Sequence, residues 1–371
     1  MHLGARTDIG PPPHFFTSGP RLGFGAWAVG GTGWGPAAAR RERWAVVARA
    51  LERGITFFDT APTYGDGGSE ALLGEVLRAD RERIVLATKI GPRDDPRLSL
   101  DASLKRLQTG YVDLVQLHEA GERWEGQLDT LFRLQDAGKA HAVGLCNATH
   151  LQLARALELG PLAAYQGPYN LFDRDVEQRV LPLCSERRVA FVAYRPLAAG
   201  LLAGTYATPP EFPEGDHRRG IYWFKGREFA RRRAAIERLE PIARGSGRSL
   251  AGLALAWVLS QPAVSVVLAG ARSAAQVDDN LTALDRPHTP AQVAAVDGVV
   301  AEVFRPARAT ERARSLAAGW GSRERYIVEQ LDGRTSHEAI AAQWTDRGEQ
   351  PMIGAQVKVF VDGLAEQGLV A

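Results

Sequence analysis

Short runs of apolar residues alternate with stretches whose apolar positions recur every three or four residues, and the alternation persists from about residue 20 to residue 304. A run of four to seven β-branched, aromatic or aliphatic residues is too short for a helix and reads as a strand buried on both faces. Such runs fall at 22–27, 55–58, 83–89, 112–118, 140–146, 162–166, 189–194 and 264–269. Between them lie helical patterns at 37–53, from Ser69 as N-cap, and at 99–108, 124–137, 150–159 and 176–188, with Gly138 and Gly160-Pro161 as stops. A long loop at 201–227 and two helices, 231–244 and 249–260, lead to the eighth strand; helices at 273–284 and 289–304 follow it. Eight strand–helix alternations without a break in strand order predict a closed (β/α)8 TIM barrel rather than an open doubly wound sheet.

The ends of the chain depart from this rhythm. Pro11 to Pro13 and Gly19-Pro20 punctuate an N-terminal arm expected to close the barrel floor with a short hairpin. After 304 comes a charged, Ala-rich stretch, 305–314, which reads as a linker or an extra helix. Three short helical patterns follow: 324–333, a second that starts at the cap signal Thr335-Ser336 and runs to Trp344, and 355–367, which leads into a terminal apolar strand. That order predicts a small winged-helix-like module. The chain thus divides into a barrel, 1–304, and a C-terminal helical extension, 305–371.

The 371 residues exceed the usual single-domain size, but a barrel absorbs most of them in one core. Hydrophobic content of 45% and charged content of 24% are those of an ordinary soluble globular protein. A formal net charge of +2 gives no electrostatic case for nucleic acid or an anionic membrane. Cys146 and Cys184 are too few for a disulfide framework and lack metal-ligand spacing. No apolar core of signal-peptide type occupies 1–13, and no apolar stretch is long enough to span a bilayer, so a cytoplasmic protein is expected. Five of the 45 Lys and Arg residues are Lys, so a Lys at a strand end carries more information than an Arg.

The second strand ends on Asp59, and Pro62 and Gly65 break the chain into a loop that carries Tyr64. Lys89 ends the third strand and His118 the fourth, so all four side chains project to the C-terminal face of the barrel, where such folds keep their chemistry. A phenol of pKa about 10 is a poor acid near neutrality, and an ammonium beside it is expected to lower that pKa. Asp59 would hold Lys89 charged, and His118 would orient or help protonate a carbonyl oxygen. The set needs a hydride donor, and so a nicotinamide. Trp34, Trp223 and Phe224, in loops, either line a substrate pocket or pack on one another. His141 and His150 read as surface or loop groups.

Several motifs in register resemble those of the aldo-keto reductases over about residues 20–304: Leu22-Gly-Phe-Gly-Ala-Trp27, Asp59 to Gly65, Ala87-Thr-Lys89, Asp113-Leu-Val-Gln-Leu-His118 and Gly144-Leu-Cys-Asn147, then Tyr165 to Asn170, Ala193 to Leu202 and Gly270 to Asn280. The resemblance implies a long-loop, NADP-dependent reductase with Asp59, Tyr64, Lys89 and His118 as its tetrad. It implies that Asn147 and Gln166 bind the nicotinamide carboxamide and that Tyr194 stacks on its ring. Further cofactor contacts are implied at Gly25, Ala26 and Trp27, at Asp59 and Cys146, and along Arg195, Pro196, Leu197, Gly200 and Leu202. In the eighth-strand loop they fall at Gly270, Arg272, Gln276, Asp279 and Asn280, with Arg272 facing the 2′-phosphate.

Cys146 stands where most members have serine, Arg195 where they have a small polar residue, and Gly270 where some have a phosphate-binding Lys. The NADP preference therefore rests on Arg272. Residues 331–336 and 364–370 are similar to the helical part of peptide-binding modules of the PqqD type, without their preceding β-hairpin. The extension thus serves peptide recognition, oligomerisation or covering of the barrel. Either the protein is a reductase of small carbonyl compounds, with a peptide or natural-product intermediate as a special case, or it is a cofactor-binding redox sensor that barely turns over.

Overall fold

The computed structural model describes residues 13–16, 21–304, 313–314, 317, 320–332, 335–345, 354–366 and 369–370. Eight parallel strands close a barrel in sequence order: β1 Leu22–Gly25, β2 Phe57–Asp59, β3 Val85–Ile90, β4 Val112–Leu117, β5 Ala140–Cys146, β6 Ala164–Pro168, β7 Ala190–Tyr194 and β8 Val264–Ala269. The seam is made by β1 and β8, with Leu22 opposite Val267. Near the strand starts, Phe57, Ala87, Leu114, Ala142, Ala164, Ala190 and Val266 form one buried cluster with Phe16. Small alanines from β3, β5, β6 and β7 leave room for the two phenyl rings, whose centroids lie 6.0 Å apart. Within the N-terminal arm, where a hairpin was expected, His14–Phe16 is a 3-10 turn; most of that arm lies outside the described residues.

The helices around the strands are α1 Arg40–Glu52, α2 Gly68–Leu77, α3 Pro96–Leu107, α4 Trp124–Asp136, α5 His150–Leu159, α6 Val180–Glu186, α7 Gly226–Gly245, α8 Leu250–Leu259, α9 Ala274–Leu281 and α10 Pro290–Val303. Asp95 caps α3, accepting from Arg97 N at 2.9 Å and Leu98 N at 3.1 Å, with Pro96 at the first helical position. Ser249 and Ser273 cap α8 and α9 in the same way. Ser69 does not cap α2. Gly67, at φ 83°, turns the chain two residues earlier, and the buried Ser69 hydroxyl instead accepts from Thr60 Oγ1 at 2.8 Å and donates to Ala26 O at 3.0 Å. The helix expected at 176–188 is split into a 3-10 turn, Asp175–Glu177, and a helix, Val180–Glu186.

The chain separates into two compact units, Met1–Asp297 and Gly298–Ala371, with α10 running across the division. In the second unit the described residues form helices Ser322–Gln330, His337–Thr345 and Gly354–Glu366. They enclose an apolar cluster that includes Ile327, Leu331, Ile340, Val357, Val361 and Leu364, with the Tyr326 and Trp344 rings 5.2 Å apart. Most of the stretch read as a linker or extra helix, 305–314, lies outside the described residues.

Candidate active site

Where the strands end, a cavity of about 590 Å3 opens, lined from the strands by Gly25 of β1, Asp59 of β2, Cys146 of β5, Gln166 of β6, Tyr194 of β7 and Leu268 of β8. Asp59 is the last residue of β2, and Lys89 is the fifth of six in β3. Lys89 Nζ donates to Asp59 Oδ1 at 2.5 Å, to Thr60 O at 3.0 Å and to Tyr64 Oη at 3.3 Å. Tyr64 reaches this point because its loop is pressed onto the turn after β1: Ser69 Oγ, at the end of that loop, donates to Ala26 O at 3.0 Å, and the Trp27 indole stacks on the phenol with centroids 5.5 Å apart. His118 follows β4, tied through its backbone N to Ile90 O at 2.8 Å, and its ring meets Tyr64 edge-on at 5.9 Å. The four residues named from the sequence thus come together, with Asp59, Tyr64 and His118 lining the cavity and Lys89 buried behind them.

Burial dominates the electrostatics here. It pushes the Tyr64 phenol up to about 12, outweighing the Lys89 ammonium that pulls the other way. The expected lowering of the Tyr64 pKa is therefore corrected, because a phenolate loses more by leaving water than one ammonium at 3.3 Å returns. Burial opposes the Lys89 ammonium, yet Asp59 and Tyr64 together hold it above the usual lysine range. Burial, then Lys89, brings His118 down to about 3, so its imidazole is neutral. Near neutral pH this site holds a protonated phenol, a charged lysine and a neutral histidine.

The other side chains divide by position. Asn147 donates to His118 O at 3.1 Å and accepts from Tyr194 Oη at 2.8 Å. Gln166 Nε2 donates to Asp59 Oδ2 at 2.9 Å, and the buried Cys146 thiol donates to Gln166 Oε1 at 3.7 Å. At the far end Arg272 donates from Nη2 to Pro36 O at 2.9 Å and from its backbone to Gln276 Oε1 at 2.7 Å. Asp279 accepts from Ser249 Oγ, and Asn280 donates to Gly270 O at 3.2 Å. Gly25, Trp27, Trp34, Arg195, Pro196, Leu197 and Gly200 also line the cavity. Ala26, Leu202 and Trp223 do not. Ala26 and Leu202 are buried behind the wall, and Trp223 packs under the long loop with the Arg232 guanidinium 5.3 Å from its ring.

The model of the aldo/keto reductase family matches residues 21–301, more than half of the chain and all eight strands. The chain belongs to the aldo/keto reductase family. Aldo-keto reductase YhdN of Bacillus subtilis is 34% identical over 280 residues, 70% of this chain and 83% of that protein. Among solved structures, a glycerol dehydrogenase from Gluconobacter oxydans is 30% identical with a TM-score of 0.70, covering 81% of this chain and 94% of its own. An aldo-keto reductase from Klebsiella pneumoniae, solved in complex with NADPH, is 28% identical with a TM-score of 0.61, covering 76% and 91%.

Within this aldo/keto reductase, one polar orphan bears on the cofactor. Arg195 Nε is buried on the cavity wall with no hydrogen-bond partner among the described residues, while its guanidinium stands 5.5 Å from the Tyr194 ring. An unpaired guanidinium N–H beside an aromatic face fits a ligand with an anionic linker and a planar ring, as a dinucleotide has. Two features of the site were not read from the sequence. His217 and Arg218 of the long loop reach the turn after β1: His217 Nδ1 meets Gly33 O at 2.6 Å, and the Arg218 guanidinium stacks 5.1 Å from the Trp34 ring. No motif marks them, since their contacts depend on how a loop folds. Gln116, the fifth of six residues in β4, hydrogen-bonds Asp59 at 3.2 Å; a Gln flanked by apolar residues was its only signal.

Proposed function

We propose that this chain is an NADP(H)-dependent carbonyl reductase, exchanging hydride with the carbonyl carbon of an aldehyde or ketone while Tyr64 carries the proton. The observation that carries the reading is the Tyr64 hydroxyl on the cavity wall, hydrogen-bonded by Lys89, which is itself ion-paired to Asp59. Bound in the cavity, NADPH supplies the hydride. Tyr64 holds a proton firmly at neutral pH, so it hydrogen-bonds the carbonyl oxygen and gives up that proton only as the oxygen becomes an alkoxide. Lys89 then stabilises the phenolate left behind. His118, kept neutral, offers an N–H to the same oxygen without adding charge. Asn147, Gln166 and Tyr194 would hold the nicotinamide, Arg195 the pyrophosphate, and Arg272 with Gln276 and Asn280 the adenosine end.

Two observations support NADP over NAD: the Klebsiella relative's complex with NADPH, and a guanidinium at Arg272 with one of its five N–H donors on Pro36 O. The test is steady oxidation of NADPH against a panel of aldehydes, with NADH compared in wild type and Arg272→Ala. A redox sensor would bind cofactor without consuming it, and the complete tetrad speaks against that. Substrate choice falls to the long loop, 201–227, and the wall of Trp27 and Trp34. For 305–371 we keep the reading of a winged-helix-like module, supported by three helices around their own apolar cluster. A peptide partner there, and a cytoplasmic setting, belong to the same proposal.

A further inference from the structure

Gln116 is the fifth of six residues in β4, beside Lys89 in the register, fully buried, and does not line the cavity. Its amide nevertheless touches two groups that do. Gln116 Nε2 donates to Asp59 Oδ2 at 3.2 Å, and Gln116 Oε1 accepts from Gln166 Nε2 at 3.4 Å, while Gln166 Nε2 also donates to Asp59 Oδ2 at 2.9 Å. An ionised carboxylate only accepts, so Asp59 dictates which end of each amide faces it. The fold also makes room for this glutamine. Gly144 stands opposite it on β5, and a Cβ there would come within 2.9 Å of Gln116 Cγ.

We infer that Gln116 is a positioning residue for the proton transfer: it draws Asp59 charge away from Lys89 and fixes the Gln166 amide with its oxygen turned from the carboxylate. The inference rests on the carbonyl-reductase reading above. Asp59 shares its negative charge between the Lys89 ammonium through one oxygen and two amides through the other. The charge the amides absorb is charge that does not neutralise Lys89, so Lys89 acts more strongly on the Tyr64 oxygen. Without the Gln116 amide, one lone pair of a buried carboxylate is unsatisfied and Asp59 leans harder on Lys89. Tyr64 then parts with its proton less readily. The other titratable groups packed around this set are Cys146 from β5, His118 after β4 and Tyr194 at the end of β7. Burial holds each of them uncharged, so none supplies the charge that Gln116 handles.

Three measurements on the full chain test this. Gln116→Met keeps the length and loses both hydrogen bonds; kcat for carbonyl reduction should fall about tenfold at every pH, by more than the loss of NADPH affinity in a fluorescence titration, and the melting temperature should drop by a few degrees for the lone pair left unsatisfied. Gln116→Glu places a second carboxyl against Asp59, where two such groups share a proton and one pKa is strongly raised. Protonated, that side chain still donates to Asp59, so activity should be largely kept at low pH and lost as pH rises, on a new limb absent from wild type. The third readout needs no turnover. With five lysines in the chain, isotope-labelled lysine NMR isolates the Lys89 ammonium, assigned with Lys89→Met, and its resonance should move in Gln116→Met.

A Gln116→Met enzyme within twofold of wild-type kcat, or a Lys89 resonance that stays in place, overturns the inference. So does a Gln116→Glu enzyme without the new limb. If wild type reduces no carbonyl although Lys89 responds to Gln116, the functional reading fails and the positioning role stands.

Discussion

At Tyr64 two forces oppose each other: removal from water, which favours the phenol, and the Lys89 ammonium, which favours the phenolate. Burial prevails, so Tyr64 carries its proton into the reaction. Tyr64→Phe should therefore lower kcat by about 10²–10⁴-fold and leave NADPH affinity within about threefold, because the phenyl ring keeps its stacking on Trp27 but donates nothing. Single-turnover rates with a slow carbonyl substrate and a fluorescence titration measure the two quantities separately.

His118 yields a second expectation at the same scale. Its pKa falls from 6.5 to about 3 on folding, so between those values the unfolded chain binds a proton that the native site refuses. Stability from this residue is present above about pH 6.5 and is lost as pH falls toward 3. The melting temperature should drop over that window, and His118→Gln should make the drop shallower; equal slopes would show that His118 is not the group concerned. Asp59, Tyr64, Lys89 and His118 were legible in the sequence because each stands at or just past the end of an apolar run. Gln116 was not, since a polar residue inside an apolar run has no partner until β2 and β6 are set beside it. Nor was the direction of the Tyr64 shift, because burial is a property of the packed loop.

The elements position these residues by close backbone approach. Gly65 sits at φ 64°, and a Cβ there would lie 2.0 Å from Gly30 O, so the Tyr64 loop and the turn after β1 touch backbone to backbone. Gly65→Ala should cost stability by about 1–3 kcal/mol and also lower kcat, since the loop that carries Tyr64 must move to relieve the clash. Asp95→Ala is the control: losing the α3 cap costs about 1 kcal/mol without moving any residue of the site. Denaturant unfolding and kcat on both variants test this, and an unchanged kcat in Gly65→Ala would deny the loop its positioning role. Strand order was readable from the unbroken alternation of strand and helix patterns, and the starts of α8 and α9 to within a residue. Ser69 misled because a serine before an apolar run looks like a cap, whereas here its hydroxyl ties two loops together behind Asp59.

For the whole molecule, the division between units at Asp297 and Gly298 falls inside α10, and a helix is a poor place to cut a chain. Asp297 on α10 accepts from Arg174 Nη1 at 2.7 Å and from Trp257 Nε1 at 3.1 Å, so this helix is bonded to groups of the barrel unit. The sequence showed where the strand–helix rhythm stops, near residue 304, but not that contacts separate the units earlier, because helical periodicity continues through that point. A chain ending at Phe304 keeps α10 whole and every cavity-lining residue, the last of which is Asn280. It should fold, bind NADPH with wild-type affinity and reduce a small aldehyde at close to the full-length rate. A chain ending at Asp297 removes the C-terminal half of α10 and leaves the acceptor of the Arg174 and Trp257 hydrogen bonds at a frayed chain end, so it should melt lower than the Phe304 chain. If both truncations melt alike, α10 is not part of what holds the barrel together. If the Phe304 chain is insoluble or does not bind cofactor, the 305–371 unit is integral to the barrel rather than an extension of it.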